Sequence, residues 1–156
     1  MKIYRLESSI SVPVSLREAF ALFETAGNLV RLTPPEFQLR VVSGEDAKMR
    51  KGAEFKLQIR RMGLRLTWTA RIAEYEPPFF FVDEQASGPF AYWRHRHEFR
   101  PTEYGAMISD RVEYALPFGA VGRLAHRLFV RHQLEELFDY RRRAMGEILT
   151  GATTAP

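Results

Sequence analysis

Apolar and polar residues alternate with a period of two from Lys2 to Val12. Tyr4, Leu6, Ile10 and Val12 share one face and Arg5, Glu7, Ser9 and Ser11 the other, which predicts a first strand. Pro13 stops it. Ser15-Leu16-Arg17-Glu18 then has capping-box spacing, and Leu16, Ala19, Phe20 and Phe23 give the following helix one apolar stripe. Gly27 is expected to end that helix. Asn28 is placed to cap a second short helical turn through Leu29, Val30 and Leu32, closed by Pro34-Pro35.

From Glu36 to about Leu116 the pattern is strand after strand with short breaks. Phe37, Leu39 and Val41 alternate before Ser43-Gly44, and Phe55, Leu57 and Ile59 before Arg61-Met62-Gly63. Leu64, Leu66, Trp68, Ala70 and Ile72 form one greasy face against Arg65, Thr67, Thr69 and Arg71. Pro77-Pro78 breaks the chain, Phe79 to Gln85 resumes it, and Gly88-Pro89 turns it. The next strand runs through Phe99, residues 101 to 105 form a hairpin loop, and Met107 to Leu116 is the last strand. With no helix between these strands, the sheet should be antiparallel.

After Pro117 and Gly119 the pattern turns helical as far as about Leu149. Val121, Leu124, Ala125 and Leu128 cluster on one face, whereas Leu134, Leu137, Phe138, Arg141, Met145 and Ile148 cluster nearly opposite. One straight amphipathic helix cannot serve both stripes, so a short helix should be followed by a bend near Phe129 to His132 and then by a long helix across the sheet. The fold class is therefore α+β, with one domain over residues 1–150 and a small polar tail at 151–156 that should fray.

The phase of the strand Phe90 to Arg100 sorts chemistry as well as polarity. Trp93, His95, His97 and Phe99 share one face, and Arg94, Arg96, Glu98 and Arg100 the other. The opposite phase would bury three charges to expose two aromatics, at a cost of several kcal/mol by a rough estimate. The first four should therefore face the interior, together with Phe81, Asp83 and Gln85 of the strand before and Asp110 and Tyr114 of the strand after. Closing the hairpin sets Asp110 opposite His95 or His97, within one register step.

Composition narrows the chemistry. There are 46% hydrophobic and 13% aromatic residues among 156, enough for a core with apolar side chains to spare. The absence of cysteine excludes disulfides, thiolate metal sites and a cysteine nucleophile, and fits a cytoplasmic protein. Met1 to Val12 has no run of signal-peptide character, and no segment approaches a membrane span, so a soluble chain is expected. The net charge of +4 could meet nucleic acid or anionic lipid. The arginines, however, alternate with apolar partners along strands or fall among glutamates on a helix, as on a solvated face, and no nucleic-acid partner is expected. Serine-elbow and glycine-rich phosphate motifs do not occur. His95 and His97 could share a face toward a metal, but spacing supplies no third ligand, so neither a metal nor a cofactor is expected.

The order strand, two short helices, six antiparallel strands and long C-terminal helix resembles the helix-grip fold of the START-like, or SRPBCC, superfamily, which includes Bet v 1-type proteins and polyketide cyclases. The run Phe81 to Phe90, then Trp93, His95, His97 and Phe99, then Asp110, Tyr114, Pro117 and Gly119, and finally Phe138-Asp139-Tyr140-Arg141, resembles a bacterial ligand-binding branch of it. The resemblance implies a seven-stranded curved antiparallel sheet, two short helices after strand 1, and a long helix across the concave face with a cavity beneath it.

On that expectation the chain binds an apolar small molecule, lipid-like or aromatic, against Trp68, Phe81, Trp93, Tyr114 and Phe138. Asp83, Gln85, His95, His97, Asp110 and Arg141 would orient its polar end. Arg141 lies on the apolar stripe of its helix and could meet Asp83 or Asp110. Two alternatives stand beside this. One is a cofactor-independent cyclase or dehydratase using His95, His97 and Asp110 as acid and base, and the other is a regulatory module presenting its basic surface to a partner. The same polar cluster could equally be a satisfied patch inside a core.

Overall fold

In the computed structural model, which describes residues 1–44 and 48–151, seven strands among the described residues form one antiparallel sheet. They are β1 (Tyr4–Val12), β2 (Arg40–Ser43), β3 (Glu54–Arg61), β4 (Leu64–Glu76), β5 (Phe80–Ser87), β6 (Tyr92–Thr102) and β7 (Gly105–Ala115). The order β1-β7-β6-β5-β4-β3-β2 means that β2 to β7 follow one another as neighbours and β1 joins at the far edge, beside β7. The sheet curves, and helices α1 (Leu16–Ala21) and α2 (Asn28–Arg31) lie between β1 and β2 in the chain, with α1 against β6 and β7. This is the expected helix-grip arrangement.

The long C-terminal helix, α4 (Arg131–Thr150), packs against β1. Gly146 permits the approach, since a Cβ there would stand only 3.1 Å from the Ile10 side chain. Its buried residues, Leu134, Phe138, Arg141, Ala144 and Met145, follow helical spacing along one stripe. The change of side occurs through a π-helical turn, His126–Val130, between α3 (Gly119–Ala125) and α4. A π turn carries an extra residue and so rotates every later side chain around the axis. That rotation is the predicted bend, and it begins three residues earlier than the sequence suggested.

Other boundaries differ for local reasons. Phe37 and Leu39 do not alternate in a strand. Pro34 and Pro35 open a 3-10 turn over Pro35–Phe37, Gln38 takes a left-handed conformation (φ 41°), and β2 begins only at Arg40. Asn28 is the first residue of α2 rather than its cap, and its Nδ2 donates to Leu22 O (2.9 Å), tying α2 to the end of α1. The Ser15 and Glu18 capping box forms as expected.

At the β3–β4 hairpin, Met62 and Gly63 both have positive φ, as a two-residue turn matching strand twist requires. The turn carries Leu64 and Leu66 out to exposures of 68% and 41%, so they are not core, and only from Trp68 inward does β4 become covered. The frayed tail expected at 151–156 lies, apart from Gly151, outside the described residues.

Trp93, His95, His97 and Phe99 are all buried, as the charge argument required, and the residues between them are partly exposed. Arg94 does not stand free in water. It bridges Glu74 and Glu84 across three strands. Two apolar clusters result. One gathers Phe20, Phe23, Ile72, Phe81, Phe99, Ile108 and Met145, and the other Trp93, Val112, Tyr114, Leu134 and Phe138.

Gly105, at the β6–β7 turn, has φ 151° and lies so close to β1 that a Cβ would fall 2.1 Å from Val12 O. Gly105→Ala is expected to destabilise the protein by roughly 2 kcal/mol or more, measured by urea unfolding, since the clash is with backbone and cannot relax by rotamer change.

Candidate functional site

The space between sheet and α4 is not filled. A cavity of about 320 Å³ opens there, bounded by Phe23 and Leu29 from the α1–α2 segment, Phe55, Leu57 and Ile59 of β3, Trp68, Ala70 and Ile72 of β4, and Leu134, Leu137 and Phe138 of α4. This is within the range of small-molecule sites. Aromatic rings dominate one wall, where Trp68 and Trp93 meet edge to face at 4.8 Å and Phe90 packs on both. The ionisable groups in the wall include Asp83, His95, His97 and Arg141, and Arg61 stands at the hairpin end.

Strand register assembles the polar group. His97 pairs with Asp110 across β6–β7, and His95 pairs with Asp83 across β5–β6. The shorter contacts run diagonally, with His95 Nε2 2.8 Å from Asp110 Oδ1 and His97 Nε2 2.9 Å from Asp83 Oδ2. Each imidazole also approaches the other carboxylate: His97 Nδ1 lies 3.0 Å from Asp110 Oδ1, without the alignment of a hydrogen bond, and His95 Nδ1 3.6 Å from Asp83 Oδ2. The two rings are 3.7 Å apart, with Phe81 stacked on His97 at 4.1 Å and Phe138 edge-on to His95 at 5.3 Å.

Burial and charge act oppositely on these groups. Burial resists ionisation of Asp110, but hydrogen bonds and charges from His95 and His97 outweigh it and hold the carboxyl far below the usual range. The same contest lowers Asp83, with His97 the main favourable partner. The histidines diverge. Burial and then the neighbouring charge of His97 push His95 down, toward the neutral ring, whereas burial of His97 is overcome by Asp110 and Asp83 and its affinity for the proton rises. Arg141 is buried, and burial lowers its pKa against the pull of Asp110 and Asp83. Its Nε donates to Leu32 O at 3.4 Å and its guanidinium stands 5.0 Å from the Phe138 ring. Two carboxylates that favour ionisation, an imidazole that favours its proton and a guanidinium thus set opposite charges against one another within the cluster.

Eight of the eleven residues expected at the site line the cavity: Trp68, Phe81, Asp83, Trp93, His95, His97, Phe138 and Arg141. Three stand elsewhere. Asp110 lies behind the histidines and touches the cavity only through them. Gln85 spends both ends of its amide on the Phe90 backbone, donating from Nε2 to the carbonyl (2.8 Å) and accepting from the N–H at Oε1 (3.1 Å), so it holds the β5–β6 turn. Tyr114 is buried with its hydroxyl 2.9 Å from His126 Nε2, and burial foremost, with Glu135 adding, pushes its phenol up to about 12.

The residues not foreseen include Arg61, Thr33, Phe37 and Gln133. Arg61 was legible only as one charge in a polar turn. Its seat over the Phe37 ring (4.4 Å) and its contact with Glu136 (3.4 Å) depend on chain brought together by folding.

Asp83, His95 and His97 offer three ligand atoms within 4.8 Å of one another. These could hold a divalent cation only by giving up the contacts just described, and beside the Arg141 cation.

Comparison with known proteins places this geometry. Residues 12–138 match the family described as polyketide cyclase / dehydrase and lipid transport. None of the curated proteins matches the sequence. Solved structures with the same fold include the protein CV1439 from Chromobacterium violaceum (14% identity, TM-score 0.73, covering 93% of this chain and 96% of that one). A START superfamily protein from Mycobacterium smegmatis is also similar (10%, 0.70, 96% and 99%), as is Ara h 8.0201 (14%, 0.64, 92% and 98%). At these identities the likeness is one of fold.

The divergence of the two histidines has a testable sign. The folded state holds the His97 proton to higher pH than the unfolded chain, so the stability this contributes is complete below the ordinary value of 6.5 and lost as pH rises through the raised one. The stability difference between wild type and His97→Gln should therefore be largest below pH 6.5 and shrink above it, in thermal unfolding across that range.

Proposed function

The chain belongs to the polyketide cyclase / dehydrase and lipid transport family, and from that premise we propose that it binds an apolar small molecule, lipid-like or aromatic, in the cavity between sheet and α4. The observation that carries the proposal is the cavity itself, lined chiefly by aliphatic and aromatic side chains, with one compact polar patch and Arg61 apart from it at the hairpin end. Trp68, Phe81, Trp93 and Phe138 take the apolar body of the ligand. His95, His97, Asp83 and Arg141 receive its polar atoms, and Asp110 acts through the histidines by fixing their orientation. Because the patch sets opposite charges against one another, it suits a hydroxyl or carbonyl oxygen better than a strongly charged group.

A second reading is favoured by the opposite displacement of the two histidines. A neutral and a protonated imidazole side by side are what acid-base work on a carbonyl compound requires. In a cyclase or dehydratase, His97 would donate a proton to a substrate oxygen while Asp83 and Asp110 stabilise its charge. Removing either imidazole would then eliminate turnover of a cyclisable polyketone and leave its binding largely intact. A His97→Phe variant that kept full turnover would sink this second reading.

Binding is tested with the uncharged fluorescent apolar probe N-phenyl-1-naphthylamine. One molecule should bind per chain with enhanced emission, and Ala70→Trp, which places an indole in the cavity, should lower the affinity at least tenfold by a rough estimate. Equal binding by the filled variant would place the probe elsewhere and count against the cavity.

A further inference from the structure

The cavity does not account for the apolar residues that α3 and the π turn turn toward solvent. From Tyr114 to Leu134 the chain carries Arg123, Arg127 and Arg131 and no acidic residue. Within that stretch Phe118 is 83% exposed, Val121 69% and Phe129 62%, and Leu124 and Leu128 are exposed as well. Exposed large apolar residues gathered on so short a segment point to an interaction site.

The exposure is built in by what holds the opposite side. Gly122 rests on the Pro117 backbone so closely that a Cβ would lie 2.0 Å from the carbonyl oxygen. His126 is buried, stacked 3.5 Å from the Tyr4 ring and bonded to the Tyr114 hydroxyl. The segment is therefore anchored by a glycine and an imidazole, which leaves the leucines outward. Phe118 adds to this, because its left-handed backbone (φ 66°) is unfavourable for a side-chain-bearing residue and presents the ring to solvent at the start of α3.

We infer that α3 and the π turn form a peripheral docking face for an anionic lipid bilayer. Val121 and Leu124 fall at i and i+3 on α3 and Leu128 follows in the π turn, all three exposed, while Arg123 of α3 and Arg127 of the π turn stand exposed among them. That is the layout of an interfacial helix: the apolar side chains enter the acyl boundary, and the arginines extend along them to reach lipid phosphates. Arg131 contributes less, being held by Glu135 at 2.8 Å. The charge pattern selects a bilayer over a second copy of the chain, since a two-fold contact through this face would set arginines against arginines with no carboxylate in the stretch to answer them. Leu116 and Val130, at either end of the face, line the cavity, so docking brings the cavity's edge to the bilayer. The inference goes beyond the ligand reading and stands without it.

Flotation of the purified chain with vesicles tests it. Vesicles of phosphatidylglycerol mixed with phosphatidylcholine should carry the protein at low salt and release it at high salt, and vesicles of phosphatidylcholine alone should not carry it. Arg123→Gln with Arg127→Gln should weaken partitioning by at least about tenfold, each arginine being worth about fivefold. Leu124→Ser with Leu128→Ser should weaken it at least as much. Both pairs are exposed, so thermal unfolding and probe binding should match wild type, which separates loss of docking from loss of fold. The inference is overturned if anionic vesicles are not preferred, or if both double variants float like wild type. It is also overturned if sedimentation reveals a dimer that the leucine variant dissolves while vesicles capture nothing.

Discussion

Two carboxylates and two imidazoles, closed on one another across three adjacent strands, set the terms for the rest of this molecule. Asp110 and Asp83 are kept ionised inside the protein because each faces both histidines, and the histidines are kept in one orientation because each faces both carboxylates. Removing one member would leave a buried charge without its partner, a loss typically of about 3–5 kcal/mol. The sheet register must deliver all four at once. A slip of one residue in β6 would bring Arg94 and Arg96 inward and turn the histidines out, so the cluster specifies register as well as occupying the interior.

The cluster also divides the interior. Phe99 and Ile108 lie on one side of it and Trp93 and Val112 on the other, along the same faces of β6 and β7, so a polar band separates two apolar cores. An apolar molecule enclosed beneath α4 would lie against both kinds of surface. A void in a core loses dispersion contacts without any compensating chemistry, whereas the wall of this cavity carries ionisable groups.

The C-terminal helical region meets two incompatible demands through one local irregularity. The stripe of α4 must face the sheet, and the stripe of α3 faces solvent. The π turn at His126–Val130 makes both possible in a continuous helical run. His126 sits at its start and is bonded to Tyr114 of β7, so the point of rotation is fixed to the sheet by a buried polar contact. Folding thus spends an interior hydrogen bond on orienting a surface, which accords with a surface that has a partner.

The sequence by itself determined the strands β1 and β3 to β7, though not where β2 begins, together with the phase of β6 and the proximity of a histidine to a carboxylate. Each rests on local periodicity and on the large penalty for burying Arg94, Arg96 and Glu98. It also determined that Val121, Leu124 and Leu128 oppose the stripe of α4, because helical spacing is counted along the chain. Only tertiary structure decided that Gln85 serves the Phe90 backbone, that Tyr114 serves His126, and that Asp110 lies behind the imidazoles rather than in the cavity. It alone decided that Phe55 and Leu57 line a space and that Leu64 stands in solvent. An alternating pattern says which side of a strand is apolar, but whether that side meets packed atoms, an open cavity or water depends on how far the opposing element stands off, and that distance is written in residues remote in sequence.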